Sequence, residues 1–145
     1  MDGRTLARSL FLDCWSGGRL ELLDELLAAD HRFHPSEGDL VGVEDYRALL
    51  ACYRRAFSPT FEIRHLIAEG DLVVVHYEEA GVFAADWTLG DAHIAATGLP
   101  YETFGVELLR IEGDRIAEAW PGHDSLTHWT RIGVARSGEG GVQGT

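Results

Sequence analysis

At Ser58-Pro59 the spacing of apolar residues changes from a period of about 3.6 to a period of 2. Upstream, Leu6, Leu10, Phe11, Cys14 and Trp15 recur at three- and four-residue steps, one face of a helix that Ser16-Gly17-Gly18 stops. Leu20, Leu23, Leu26 and Leu27 mark a second helix. Tyr46, Leu49, Leu50, Tyr53 and Phe57 mark a third, which Ser58-Pro59 ends. Between the second and third, residues 30–36 read as an extended segment closing at Pro35. Downstream, residues 60–68 alternate Phe61, Ile63, His65 and Ile67 with Glu62, Arg64, Leu66 and Ala68, and Glu69-Gly70-Asp71 turns the chain. Residues 72–81 are a valine-rich central strand. Residues 101–111 and 115–120 are the last two strands, joined at Gly113-Asp114. Residues 82–100 read as a strand edge with a long loop. Three helices followed by an antiparallel meander make an α+β fold, in which the helices cover one face of the sheet. A strongly curved sheet of that kind encloses a cavity against its helices.

The chain of 145 residues is long enough for one such domain, over residues 1–135, with room for a pocket. The glycine-rich tail 136–145 has almost no apolar residues and is expected to be disordered. With 24 acids against 12 bases the net charge is −12, which argues against nucleic acid as a partner. No apolar run reaches the ~18 residues of a membrane span. The opening Met1-Asp2-Gly3-Arg4, followed by an amphipathic pattern, does not read as a signal peptide, so a cytoplasmic location is expected. Cys14 and Cys52 have neither CxxC spacing nor secretory context, so a disulfide or a zinc site through them is not expected. The histidines show no HxxxH or HExxH pair on a helix, so no metal is expected.

Chemistry concentrates near the end of the chain. The strand leaving the Gly113-Asp114 tip carries Ile116, Glu118 and Trp120 on one face and leads to His123 and Asp124 at a reversal marked by Pro121-Gly122. Asp124 stands where it would cap a helix beginning at Ser125. The order of these elements, with Trp15-Ser16-Gly17-Gly18, Asp30-His31-Arg32-Phe33-His34-Pro35, Gly42-Val43-Glu44-Asp45-Tyr46, Ala68-Glu69-Gly70-Asp71-Leu72-Val73, Thr97-Gly98-Leu99-Pro100 and Ile132-Gly133, resembles the SnoaL-like polyketide cyclase branch of the nuclear-transport-factor-2-like superfamily over about residues 5–133. The resemblance implies a cone-shaped α+β barrel, a homodimer formed through the outer sheet face, and a deep apolar pocket for a hydrophobic small molecule. It also implies ring-closing aldol chemistry or a related dehydration, isomerisation or epoxide opening, mostly with no metal or organic cofactor. The family's acid/base at the end of the last strand matches Asp124, and its pocket histidine matches His34. Two departures fall at the implied pocket mouth: Pro121-Gly122-His123 before the aspartate, and the long 82–96 segment with Trp87 and His93.

An aldol closure needs a base for the proton alpha to a ketone and a donor for the enolate oxygen. A carboxylate in an apolar pocket is a stronger base because desolvation raises its pKa. Asp124 has two readings, such a pocket base or a helix cap. His34 is a donor to a substrate oxygen or a partner of Asp124, or else a hydrogen-bonded surface histidine. His123 would point away from Asp124 if the strand ran on. His65 and His76 sit among apolar strand residues, with His76 a pocket candidate. Glu107 is either a pocket acid or an outward charge, and Glu79 poses the same question. The aromatic residues Phe33, Tyr53, Phe57, Trp87 and Trp120, by default core, would in a cavity fold line a wall suited to flat substrates. The expected function is thus a cofactor-free cyclase of a polyketide-like carbonyl compound. The alternatives are a dehydratase or ketosteroid-type isomerase using the same acid, epoxide opening through Arg64 or Arg110, or a binding module without chemistry.

Overall fold

Residues 3–16 form one continuous rod in the computed structural model, which describes residues 1–89 and 91–134; the tail 136–145 lies outside them. Helix α1 (Gly3–Arg8) starts at Asp2, whose carboxylate accepts from the Thr5 backbone N–H at 2.9 Å. It widens without a break into a π-helical segment, Ser9–Ser16, and the two together bury Leu6, Leu10, Phe11 and Cys14. Gly17 and Gly18 end the rod, Gly18 at φ +76°. The carbonyls left open at that end accept from Arg54 of the third helix, Trp15 O and Ser16 O both bonding its Nη1.

The second helix is shorter than its leucine pattern suggests. A 3₁₀ turn, Leu20–Leu22, leads into α2 (Leu23–Leu26), and Leu27 already belongs to strand β1 (Leu27–Phe33). A two-residue strand β2 (Leu40–Val41) follows, then α3 (Val43–Phe57). The meander is β3 (Thr60–Glu69), β4 (Leu72–Val82), β7 (Pro100–Glu112) and β8 (Arg115–His123). Instead of a loop, the 82–100 segment holds a separate hairpin, β5 (Trp87–Leu89) with β6 (Ala92–Ile94). Helix α4 (Ser125–Arg131) closes the described chain. No helix among the described residues is long and apolar enough to cross a membrane.

Six strands form one sheet in the order β2-β1-β8-β7-β4-β3, antiparallel throughout except for the parallel pair β1 and β8. It is α+β as the pattern predicts, but the sheet curls without closing into a barrel, since β2 and β3 remain unpaired edges. Its covered face carries Val73, Val75, Tyr77, Leu109 and Ile116, packed under Leu6, Leu10, Phe11, Leu26 and Leu50. A second core cluster joins Ala56, Phe57, Phe83, Trp87, Tyr101 and Ile132, binding α3, the hairpin and α4 to the end of the sheet.

Two irregularities reassign the faces read from strict alternation. The β3–β4 register shifts between Ile63 and His65, so Leu66 and Ala68 pack on the core with Phe61 and Ile63 while Ile67 is 59% exposed. The β7–β8 register shifts between Arg110 and Ile111, which leaves Ala117 as the extra residue. Ile116 therefore faces the core, whereas Glu118 and Trp120 face outward and Ala119, Pro121 and His123 inward. β8 also continues through Pro121-Gly122, where the sequence suggests a reversal. Its pairing with β1 ends at Ala119, so the missing N–H of Pro121 falls on an unpaired edge.

Candidate active site

Where the two core clusters meet, the covered face of the sheet and the helices leave a cavity of about 490 Å³. Its walls are mainly aromatic: Phe11, Trp15, Phe33 and Phe61 on one side, Tyr53 and Trp87 on the other. T-shaped and tilted contacts hold these rings, among them Trp15 on Tyr53 at 5.4 Å and Tyr53 on Trp87 at 5.7 Å. Gly105 makes room for a further ring of the lining, Tyr77, because a Cβ there would collide with the Tyr77 hydroxyl.

Into this apolar space the sheet delivers two carboxyl groups. Glu79 follows Val73, Val75 and Tyr77 on the inward face of β4 and is 3% exposed. Its Oε2 accepts from Tyr53 at 2.6 Å and from Tyr101 at 2.5 Å. Burial pushes its pKa up to about 7, against the pull of the two tyrosine hydrogen bonds. Glu107, on the inward face of β7, is 5% exposed, and its Oε2 has no hydrogen-bond partner among the described residues. Burial alone raises its pKa to about 8, so near neutral pH it is mostly a carboxylic acid. Both glutamates thus point inward, the alternative that the sequence leaves open.

Two histidines complete the polar lining. His123, at the end of β8, lies on the opposite face from Asp124 and has its Nε2 3.5 Å from Glu79 Oε1. That separation falls short of a hydrogen bond, and burial lowers the pKa of His123, which keeps the ring neutral. His128, on α4, is fully buried against Tyr101, their rings 4.0 Å apart and stacked. Its pKa falls to about 3 through burial, with a smaller contribution from His123.

Of the residues the sequence nominates, Phe33, Tyr53, Trp87, Glu107 and His123 line the cavity. Asp124 does not. It caps α4, accepting from Thr127 N–H at 3.2 Å and Thr127 Oγ1 at 2.7 Å, and these bonds lower its pKa. His34 also lies outside: its Nε2 meets Glu118 at 2.6 Å and its Nδ1 meets Asp39 at 3.0 Å, while its ring stacks on Trp120. Trp120 faces outward because of the bulge at Ala117. His76 is on the outer face too, its Nδ1 2.9 Å from His65 Nδ1. Phe57 packs behind the wall, in the second core cluster. Sequence reasoning missed His128, for which the signal was its place four residues after a capping aspartate, on the buried side of a short helix. Glu79 could have been placed by parity with Val73, Val75 and Tyr77.

A family model of SnoaL-like polyketide cyclases matches residues 5–131. No curated protein matches the chain. Among solved structures, a candidate SnoaL-like polyketide cyclase from Jannaschia sp. CCS1 superposes with a TM-score of 0.76 at 22% identity, covering 88% of this chain and 89% of that one. Wild-type IdmH, a candidate polyketide cyclase from Streptomyces antibioticus, gives 0.73 at 24% identity, covering 90% and 97%. AclR, a candidate hydroxylase from Streptomyces galilaeus, gives 0.76 at 17% identity, covering 97% and 86%. At these identities the likenesses establish a common fold.

Proposed function

Because the chain belongs to the SnoaL-like polyketide cyclase family, we propose that it closes a ring in a hydrophobic, polyketide-like carbonyl compound by an aldol-type reaction in the apolar cavity, with Glu107 as the proton-transfer group. The observation that carries this reading is the Glu107 carboxyl, buried in an aromatic-walled cavity with one oxygen unpartnered and its pKa raised to about 8. The ionised fraction removes a proton alpha to a ketone, and poor solvation makes that carboxylate a stronger base than one in water. The acid so formed returns the proton to the oxygen that gains charge as the new carbon–carbon bond forms. Trp87 Nε1–H, buried on the same wall without a partner, supplies a donor for a substrate carbonyl or enolate oxygen. The aromatic walls fold the substrate so that its nucleophilic carbon meets its carbonyl, a positioning effect beyond proton transfer. A buried acid of this kind has no use in a mere carrier, which favours chemistry over storage.

The test is exchange of the alpha protons of a 1,3-diketone polyketide mimic for deuterium, followed by mass spectrometry. Glu107→Gln keeps shape and removes the base, and the exchange rate should fall roughly 10²-fold. A rate within a few-fold of the unaltered protein would take Glu107 out of the reaction. The same reading includes a homodimer through the outer sheet face, where Phe104, Val106 and Trp120 stand exposed side by side on β7 and β8.

A further inference from the structure

Three elements bring Glu79, His123 and His128 together at the cavity wall: β4, the end of β8, and α4. One ligand-capable atom from each lies within 4.8 Å of the other two. His128 is fully buried, yet among the described residues neither of its ring nitrogens has a hydrogen-bond partner, and His123 Nε2 has none. Buried nitrogens are rarely left unpaired, so three in so small a volume call for an explanation. No Arg or Lys among the described residues lines the cavity to balance Glu79.

The surrounding contacts aim the free atoms inward. Tyr53 and Tyr101 both bond Glu79 Oε2, which leaves Oε1 as the oxygen facing His123. The His123 tautomer that donates from Nδ1 to Ser125 Oγ, at 3.3 Å, leaves the Nε2 lone pair toward Glu79. The His128 ring is held between Tyr101 and Trp129, stacked on both. Ligand orientation fixed by outer hydrogen bonds and packing is the usual support of a metal centre.

We propose that Glu79, His123 and His128 bind one first-row divalent metal ion, with Zn²⁺ as the test ion and a coordination position left open to the apolar cavity. Two imidazoles and one carboxylate are the donor set of open, catalytic zinc sites, and they also suit other first-row ions. The sequence expectation of no metal rested on helical spacings. This site is instead assembled across the β8–α4 turn, with its third ligand from β4. The ion's use, polarising a substrate carbonyl as a Lewis acid, rests on the cyclase reading; its binding does not.

The test uses the full chain without a histidine tag, stripped with chelator and titrated with Zn²⁺ by calorimetry and with Co²⁺ by visible absorption. One ion per chain at micromolar affinity or tighter is expected, with the intense Co²⁺ bands of four- or five-coordination. Glu79→Gln and His123→Ala should each weaken Zn²⁺ binding roughly 100-fold or more, since even outer-sphere changes cost 10- to 100-fold. Their circular dichroism in chelator should match that of the unaltered protein. His34→Ala, which removes the outward histidine between Asp39 and Glu118, should leave affinity unchanged. No binding, or binding lost in His34→Ala but kept in the other two, overturns the site. Glu107→Gln separates the two readings, because it should slow deuterium exchange roughly 10²-fold while keeping the Zn²⁺ isotherm. Bound Zn²⁺ whose removal leaves exchange unchanged would uphold the site and overturn its use on the carbonyl.

Discussion

Glu107 is a liability that a core without function would replace by leucine. Its folded pKa of about 8 stands above the ordinary 4.5 because burial opposes ionisation, and Tyr46 and Tyr77, the titratable groups near it, offer no positive charge. Between those values the folded chain keeps a proton that the unfolded chain has released. Stability therefore falls as pH rises through that window, and the loss is complete above the folded value. The urea midpoint should decline between about pH 7 and about pH 9, above the range in which buried neutral His128 adds stability as pH rises, and Glu107→Gln should flatten part of that decline. Glu79, raised to about 7, contributes in the same direction. Parallel midpoint curves for the two proteins would mean that Glu107 is not a buried neutral acid. The sequence left the direction of Glu107 open because a glutamate on a strand is compatible with either face; its cross-strand partner Pro121 and the inward neighbours Gly105 and Leu109 decide it.

At the scale of elements, the first and third helices and the antiparallel meander were legible from the change of period at Ser58-Pro59, whereas the curl of the sheet came only with the family resemblance. The site was legible only in part. Periodicity assumes an unbroken register, and the shifts at Arg64 and Ala117 each turn the following residues over. Trp120 was misread for that reason, whereas Tyr53 lies on helix α3, which no strand register shift can turn over. Asp124 illustrates a different limit, since a residue between a strand and a helix serves either the cavity or the helix end, and here Thr127 takes both carboxylate oxygens. Asp124→Ala should cost about 1 kcal/mol and speed amide exchange along α4, the helix that carries His128, whereas Asp124→Asn, still a good cap, should cost little. Equal exchange in both variants would deny the cap its role.

At the scale of the whole molecule, one sheet face is covered by helices and the other leaves Phe104 at 49% and Val106 at 42% exposure. If the proposed homodimer uses that face, light scattering after gel filtration should give twice the chain mass, and Val106→Glu should halve it without lowering Tm beyond the loss due to dissociation. A monomeric unaltered protein would rule the dimer out. The parallel pairing of β1 with β8, which sets Phe33 beside Ala119, has a consequence for how the chain is made. β3 and β4 are neighbours in sequence and can pair early, but β1 must wait for a partner synthesised long after it. During translation β1 therefore stays without its partner strand until β8 has left the ribosome, while the first helix can already settle on β3 and β4.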